Sequence, residues 1–144
     1  MSGFLTVCIF ISLSVNSLSA DAKSDSDSIK AVRSKFTAFN LHDVAAIKDI
    51  YSSDAMLNSP DYHDLVGNKP IAETYKQLFE SIPDAEDNVQ LLELAGEHVY
   101  VQFVLTGHWN GSPDKPVNVR IISVYKVSDG HIVDDATYYD RKAP

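Results

Sequence analysis

The sequence predicts an α+β domain, with helices packed on one face of a largely antiparallel, curved sheet. Three observations lead there. In the first half of the chain, apolar residues recur at helical spacing, as on a helix buried along one stripe. In the second half they alternate with polar residues, as on strands with one buried face. The alternating runs are joined by short turn signals, of which Asp129-Gly130 is the strongest, so they pair as hairpins.

The first helix is expected from Ser28 to Asn40, with Ile29, Val32, Phe36 and Phe39 as its apolar stripe and Ser26 or Asp27 as its cap. A second, short helix from Asp43 to Tyr51 turns Val44, Ile47 and Tyr51 inward. "DAMLNS" is a short strand ended by Pro60, and "PDYHDLVGN" is a loop. The third helix, Lys69 to Ile82, aligns Ile71, Tyr75, Leu78 and Ile82. "NVQLLELAG" and "HVYVQFVLTGHW" form two strands around Gly96-Glu97, followed by a turn at Asn110-Gly111. "KPVNVRIISVYKV" and "HIVDDATYYD" close the sheet. On the former, Val117, Val119, Ile121, Ser123, Tyr125 and Val127 share one face, while Arg120, Ile122 and Val124 lie on the other. An outer face that is half apolar suits a partner sheet better than open water.

Residues 1–20, "MSGFLTVCIFISLSVNSLSA", carry no charged side chain and centre on an apolar run from Phe4 to Val15. This reads as a signal peptide cleaved after Ala20 or Ala22, for a secreted or periplasmic protein. Residues 21–27 read as a mobile polar arm, and residues 28–144 as a single domain. The only cysteine, Cys8, lies in the leader, so neither a disulfide nor a thiolate site is expected in the mature chain. The net charge of −8, without a basic stripe, disfavours nucleic acid and anionic membranes as partners. The five histidines show no metal-binding spacing, and there is no phosphate loop or nucleophile elbow, so no cofactor and no metal are expected. Asn110-Gly111-Ser112 matches a glycosylation acceptor, although the following Pro113 disfavours its use.

Three passages carry a family resemblance: "FNLHDVAAIKDIYSSDAMLNSP", "VGNKPIAETYKQLF" and "VYKVSDGHIVDDATYYD". Together they resemble the nuclear-transport-factor-2-like superfamily and, within it, the SnoaL-like (polyketide cyclase-like) domain. The resemblance implies a cone-shaped barrel of three N-terminal helices packed on the curved sheet and enclosing a mostly apolar cavity. It also implies a homodimer formed through the outer sheet face. Comparison with the steroid-isomerase branch turns Asp135, Thr137 and Tyr139 toward the cavity and Asp134, Ala136 and Tyr138 away from it. The same comparison puts Ser59 and Ser123 where that branch has its base and its oxyanion-stabilising acid. Lys35 or Phe36 falls at its first-helix tyrosine, and only Tyr75 is retained. A serine hydroxyl cannot shuttle a proton at neutral pH as a carboxylate does, so steroid-isomerase chemistry is not expected, nor is a second acid in the cavity.

Asp135 then has two readings. Inside the cavity it is a desolvated acid/base or ligand-binding carboxylate; at an open rim it is solvated or paired with Arg120 or another base. Three functions follow. The first is an exported domain that binds a small, mostly apolar molecule, oriented by Asn58, Tyr75, Ser123, Thr137, Asp135 and Tyr139. The second is a cofactor-independent cyclase, isomerase or dehydratase with Asp135 as catalytic acid/base and Asn58 or Tyr139 polarising a carbonyl. The third is a protein-interaction scaffold whose cavity is closed by side chains.

Overall fold

The computed structural model describes residues 15–140. Three helices, α1 (Val15–Asn40), α2 (Val44–Ile50) and α3 (Asn68–Ser81), pack on a six-stranded sheet. Its strands are β1 (Tyr51–Asn58), β2 (Leu65–Val66), β3 (Glu86–Ala95), β4 (His98–His108), β5 (Pro116–Ser128) and β6 (His131–Tyr139), in the order β2-β1-β6-β5-β4-β3. All neighbours run antiparallel except β1 and β6, which are parallel. The sheet is curved, mixed and unclosed, as the α+β expectation requires.

Helix α1 is longer than its apolar pattern. Within the described residues it already runs from Val15 rather than from Ser28, so residues 21–27, expected as a mobile arm, belong to the helix. Residues 22–27 are all exposed, which explains why no stripe marked them; Ala22 and Lys23 favour helix without needing a core. Both expected cleavage points fall within this helix, while the leader's apolar run lies almost wholly outside the described residues. From Ser28 onward the helix buries Ala31, Val32, Lys35, Phe36, Ala38 and Phe39. Asp43 caps α2 by accepting the Ala46 N–H at 2.9 Å.

The core forms between these helices and the inner sheet face. Val99, Val101, Phe103 and Leu105 alternate inward on β4, and Val117, Ile121 and Tyr125 on β5. Full burial of each such side chain contributes about 1.5–3 kcal/mol. Two register shifts decide which acids enter. In β3 the shift between Val89 and Leu91 reverses the inward parity: Leu92 and Leu94 oppose Val101 and Val99, yet Asp87 opposes inward-facing Leu105. In β6, Ile132 pairs with Val127 but Asp134 pairs with Lys126, so one extra residue is accommodated there. Ile132 and Asp135 consequently both point inward. On the outer face, Tyr138 lies opposite Ile122, and Val124 lies between Tyr100 and Ala136. Tyr100, Ile122 and Tyr138 are exposed there.

Candidate functional site

A cavity of about 690 Å³ lies between the helices and the concave sheet face. Phe39, Leu57, Phe103, Leu105, Val119 and Ile121 give it an apolar wall, and Trp109, Asp61 and Asp140 also line it. Its polar groups are Lys35 from α1, Tyr75 from α3, Asp87 from β3, Ser123 from β5, and Thr137 and Tyr139 from β6. A depression of similar volume, about 700 Å³, lies between the start of α1 and the Ser128–Gly130 turn. Its polar lining, including Lys23, Asp27, Lys30 and Asp49, has neither the apolar wall nor the buried polar network of the cone cavity. The cone cavity is therefore the candidate site.

Asp135 is fully buried, which excludes the rim reading; Arg120 lies on the other face of the sheet. The carboxylate does not line the cavity but sits behind it. Its Oδ2 accepts the Tyr51 hydroxyl at 2.6 Å and its Oδ1 accepts Thr137 Oγ1 at 2.8 Å. Tyr51 lies 3.1 Å from the Tyr75 hydroxyl, and Thr137 lies 2.6 Å from Ser123 Oγ. Tyr51 and Thr137 each spend their one proton on Asp135, so Tyr75 and Ser123 must donate inward to them. Two hydroxyl chains thus connect the hidden carboxylate to the cavity wall. Burial pushes the Asp135 pKa up, against the lowering effects of Lys35 and of the Tyr51 and Thr137 hydrogen bonds. Burial also pushes Tyr75 up to about 12 and raises Tyr51 well above its ordinary value, so both hydroxyls stay protonated.

A second acid is present, contrary to expectation. Asp87 lines the cavity, and its Oδ2 lies 3.4 Å from Lys35 Nζ. Both side chains are 3% exposed. Asn40, on the same helix as Lys35, fixes the strand: its Oδ1 accepts the Asp87 N–H at 2.8 Å and its Nδ2 donates to the Asp87 carbonyl at 3.0 Å. The Lys35 ammonium also sits over the rings of Phe36 at 4.2 Å, Phe39 at 5.1 Å, Tyr75 at 5.2 Å and Phe103 at 5.5 Å. Burial raises the Asp87 pKa while Lys35 lowers it. For Lys35, burial works against the charge, and the surrounding groups Tyr125, Tyr75, Asp87 and Asp135 outweigh it, leaving the pKa raised.

Of the sequence-derived site residues, Tyr75, Ser123, Thr137 and Tyr139 line the cavity and Asp135 lies one hydroxyl behind it. The Tyr139 hydroxyl also donates to the Asp61 carboxylate, linking β6 to the loop after β1. Asn58 does not join them. It follows inward-facing Leu57 and pairs with Ala136, and its Oδ1 accepts the Asp64 N–H at 2.8 Å, so it holds the loop rather than a ligand. From that loop Tyr62 reaches the cavity, whereas His63 and Asp64 are exposed. Lys35, Asp87 and Tyr51 are the additions. A signal for Lys35 was present: it lies three residues beyond Val32 and four before Phe39, on the apolar stripe itself. Among the described residues, no three His, Cys, Asp or Glu side chains converge to hold a metal ion.

The model of the SnoaL-like polyketide cyclases matches residues 30–144. No curated protein sequence matches the chain. Solved structures share its fold. A ketosteroid isomerase-like protein from Catenulispora acidiphila, in complex with trimethylamine, is 20% identical, with a TM-score of 0.70 over 76% of this chain and 85% of that one. A SnoaL-like polyketide cyclase-type protein from Jannaschia sp. is 19% identical, with a TM-score of 0.70 over 81% of this chain and 87% of that one. An LEH-like epoxide hydrolase from M. tuberculosis is 16% identical, with a TM-score of 0.69 over 81% and 84%. At these identities the likeness concerns the nuclear-transport-factor-2-like fold alone.

Proposed function

Because this chain belongs to the SnoaL-like polyketide cyclase family, we propose that it holds a small, mostly apolar molecule in its cone. The observation that carries this reading is the cavity of about 690 Å³, with an apolar wall and a set of polar groups that includes Lys35, Tyr75, Asp87, Ser123 and Thr137. That volume speaks against the scaffold with a closed interior. The chain's single tryptophan, Trp109, lines the cavity and is 49% exposed, so it reports occupancy. The neutral probe N-phenyl-1-naphthylamine should quench Trp109 emission saturably at one probe per chain. Val119→Phe, which adds bulk to the wall, should weaken this binding about tenfold or more. A linear, non-saturating response from folded protein would sink the reading.

A cofactor-independent cyclase, isomerase or dehydratase is the second reading, favoured by the acid behind the wall. Asp135 would exchange protons with a bound molecule through Thr137 and Ser123, or through Tyr51 and Tyr75, by reversal of each hydroxyl in turn. We also place the protein outside the cytoplasm, on its uncharged first twenty residues, and pair it with a second copy through the apolar strip of Tyr100, Ile122 and Tyr138. Sedimentation of protein recovered from the culture medium, with its N-terminus sequenced, checks both. A monomer removes the pairing, and a chain still carrying Met1 removes the cleavage.

A further inference from the structure

Lys35 is the only lysine or arginine that lines the cavity among the described residues. An ammonium has three N–H donors. One reaches Asp87, at a long 3.4 Å, and no other described group accepts from it. The remaining donors are desolvated among aromatic rings, which attract the cation but do not saturate its hydrogen bonds. Nearby on β5, the buried Tyr125 hydroxyl has only Ser123 as a side-chain neighbour, outside full hydrogen-bond geometry. The ammonium therefore presents under-used donors on the wall of a largely apolar chamber.

We propose that Lys35 anchors a carboxylate on an otherwise apolar ligand whose body lies along Phe39, Phe103 and Ile121. This rests on the ligand-holding reading of the cone and adds the ligand's chemical class and orientation to it. The charge balance sets a second property. The titratable groups around Lys35 are Asp87 from β3, Asp135 from β6, Tyr75 from α3 and Tyr125 from β5, with Tyr51 from β1 behind Tyr75, and Asp61 and Asp140 line the same cavity. The three tyrosines stay neutral near pH 7, because burial raises all their pKa values. Burial raises the Asp87 pKa, and Lys35 helps to hold it down. An arriving anion takes over part of that help, and Asp87 then takes up a proton. The ligand enters as an anion plus a proton, so affinity falls as pH rises, by up to about tenfold per unit once Asp87 is ionised in the empty protein.

Calorimetric titration of the full chain with 2-naphthoate and its neutral counterpart 2-naphthamide tests this. At pH 6, naphthoate should bind about tenfold tighter or more, with proton uptake seen as different heats in phosphate and Bis-Tris buffers. The preference should vanish in the double variant Lys35→Met/Asp87→Asn, which removes both buried charges together and so leaves no orphan. A 2-naphthol affinity that exceeds naphthoate's and depends on Lys35 would overturn the carboxylate assignment. Equal or tighter binding of the amide, tightest binding of the cation 2-naphthylmethylammonium, or a naphthoate preference that survives in the double variant overturns the proposal. Amide binding without naphthoate binding leaves the cavity reading standing and removes this one. Silence from every naphthalene compound removes both.

Discussion

Asp87→Leu is expected to destabilise the protein by about 3–5 kcal/mol, and Lys35→Met/Asp87→Leu to recover most of that loss. The reason lies in the surroundings of the ammonium. Lys35 and Asp87 are each 3% exposed, and Asp87 is the only acceptor among the described residues that bonds Lys35. Removal of the carboxylate leaves a cation in a ring of aromatic side chains with no counter-ion in contact. Removal of both charges leaves two apolar side chains of similar length in an apolar setting, which costs little. The two partners' pKa directions support the pairing: Lys35 is raised by its neighbours, and Asp87, raised chiefly by burial, is pulled back by Lys35. The deficit of Asp87→Leu should also shrink as pH climbs into the alkaline range. Loss of Asp87 removes one of the groups that hold the proton on buried Lys35, so Lys35 deprotonates at a lower pH in the variant than in wild type, and the deficit narrows as it does. Urea unfolding of wild type, single and double variants at pH 7 and pH 9 reads all of this. A single variant as stable as wild type would mean that the pair contributes nothing.

Asp135→Asn carries the second large effect, and it separates the two functional readings. In wild type, burial holds the Asp135 pKa above the ordinary carboxylate value. The folded state therefore retains this proton over a range in which the unfolded chain has lost it. Stability then falls as pH rises from the ordinary carboxylate value through the raised one. An asparagine side chain does not titrate, so the variant should lack this part of the decline and keep only that of Asp87, which has the same sign. The hydrogen bonds can survive the change, because Tyr51 and Thr137 each retain a second hydroxyl neighbour in Tyr75 and Ser123. Denaturation midpoints from pH 4 to pH 8 should thus converge at low pH and diverge above it, in favour of the variant. Parallel curves would show that Asp135 is already ionised throughout. For an enzyme, the same substitution removes the proton at the end of both hydroxyl chains and should lower turnover about 10²–10⁴-fold. For a protein that only holds its ligand, affinity should change by less than about tenfold, since Asp135 does not line the cavity.

Much of the architecture follows from patterns counted along the chain. The stripe of Val32, Phe36 and Phe39 marks the buried side of α1, and the alternation of β5 separates Ile121, Ser123 and Tyr125 from Arg120, Ile122 and Val124. Asp129-Gly130 joins β5 to β6 as its turn chemistry requires. The family resemblance directed Asp135, Thr137 and Tyr139 to the inner face, and the parallel pairing of Leu57 with Asp135 and of Asn58 with Ala136 accounts for Asn58, expected at the ligand, lying outside the cavity lining.

Spacing reports which residues share a face, and it does so from neighbours a few positions apart; that much belongs to the amino-acid order alone, namely three helices, a hairpin-rich sheet and a hydrophobic interior. Which faces meet, and at what register, depends on pairings between residues far apart in the chain. Lys35 and Asp87 are 52 positions apart, and Tyr51 and Asp135 are 84 apart. A single extra residue in β3 and another in β6 turn both acids inward against the local rhythm. The charged heart of the cone, a buried ammonium between two buried carboxyl groups, is therefore a product of tertiary closure. Bulges and the β1–β6 pairing create it, because backbone hydrogen bonding across strands, and not side-chain periodicity, decides what each of these residues faces.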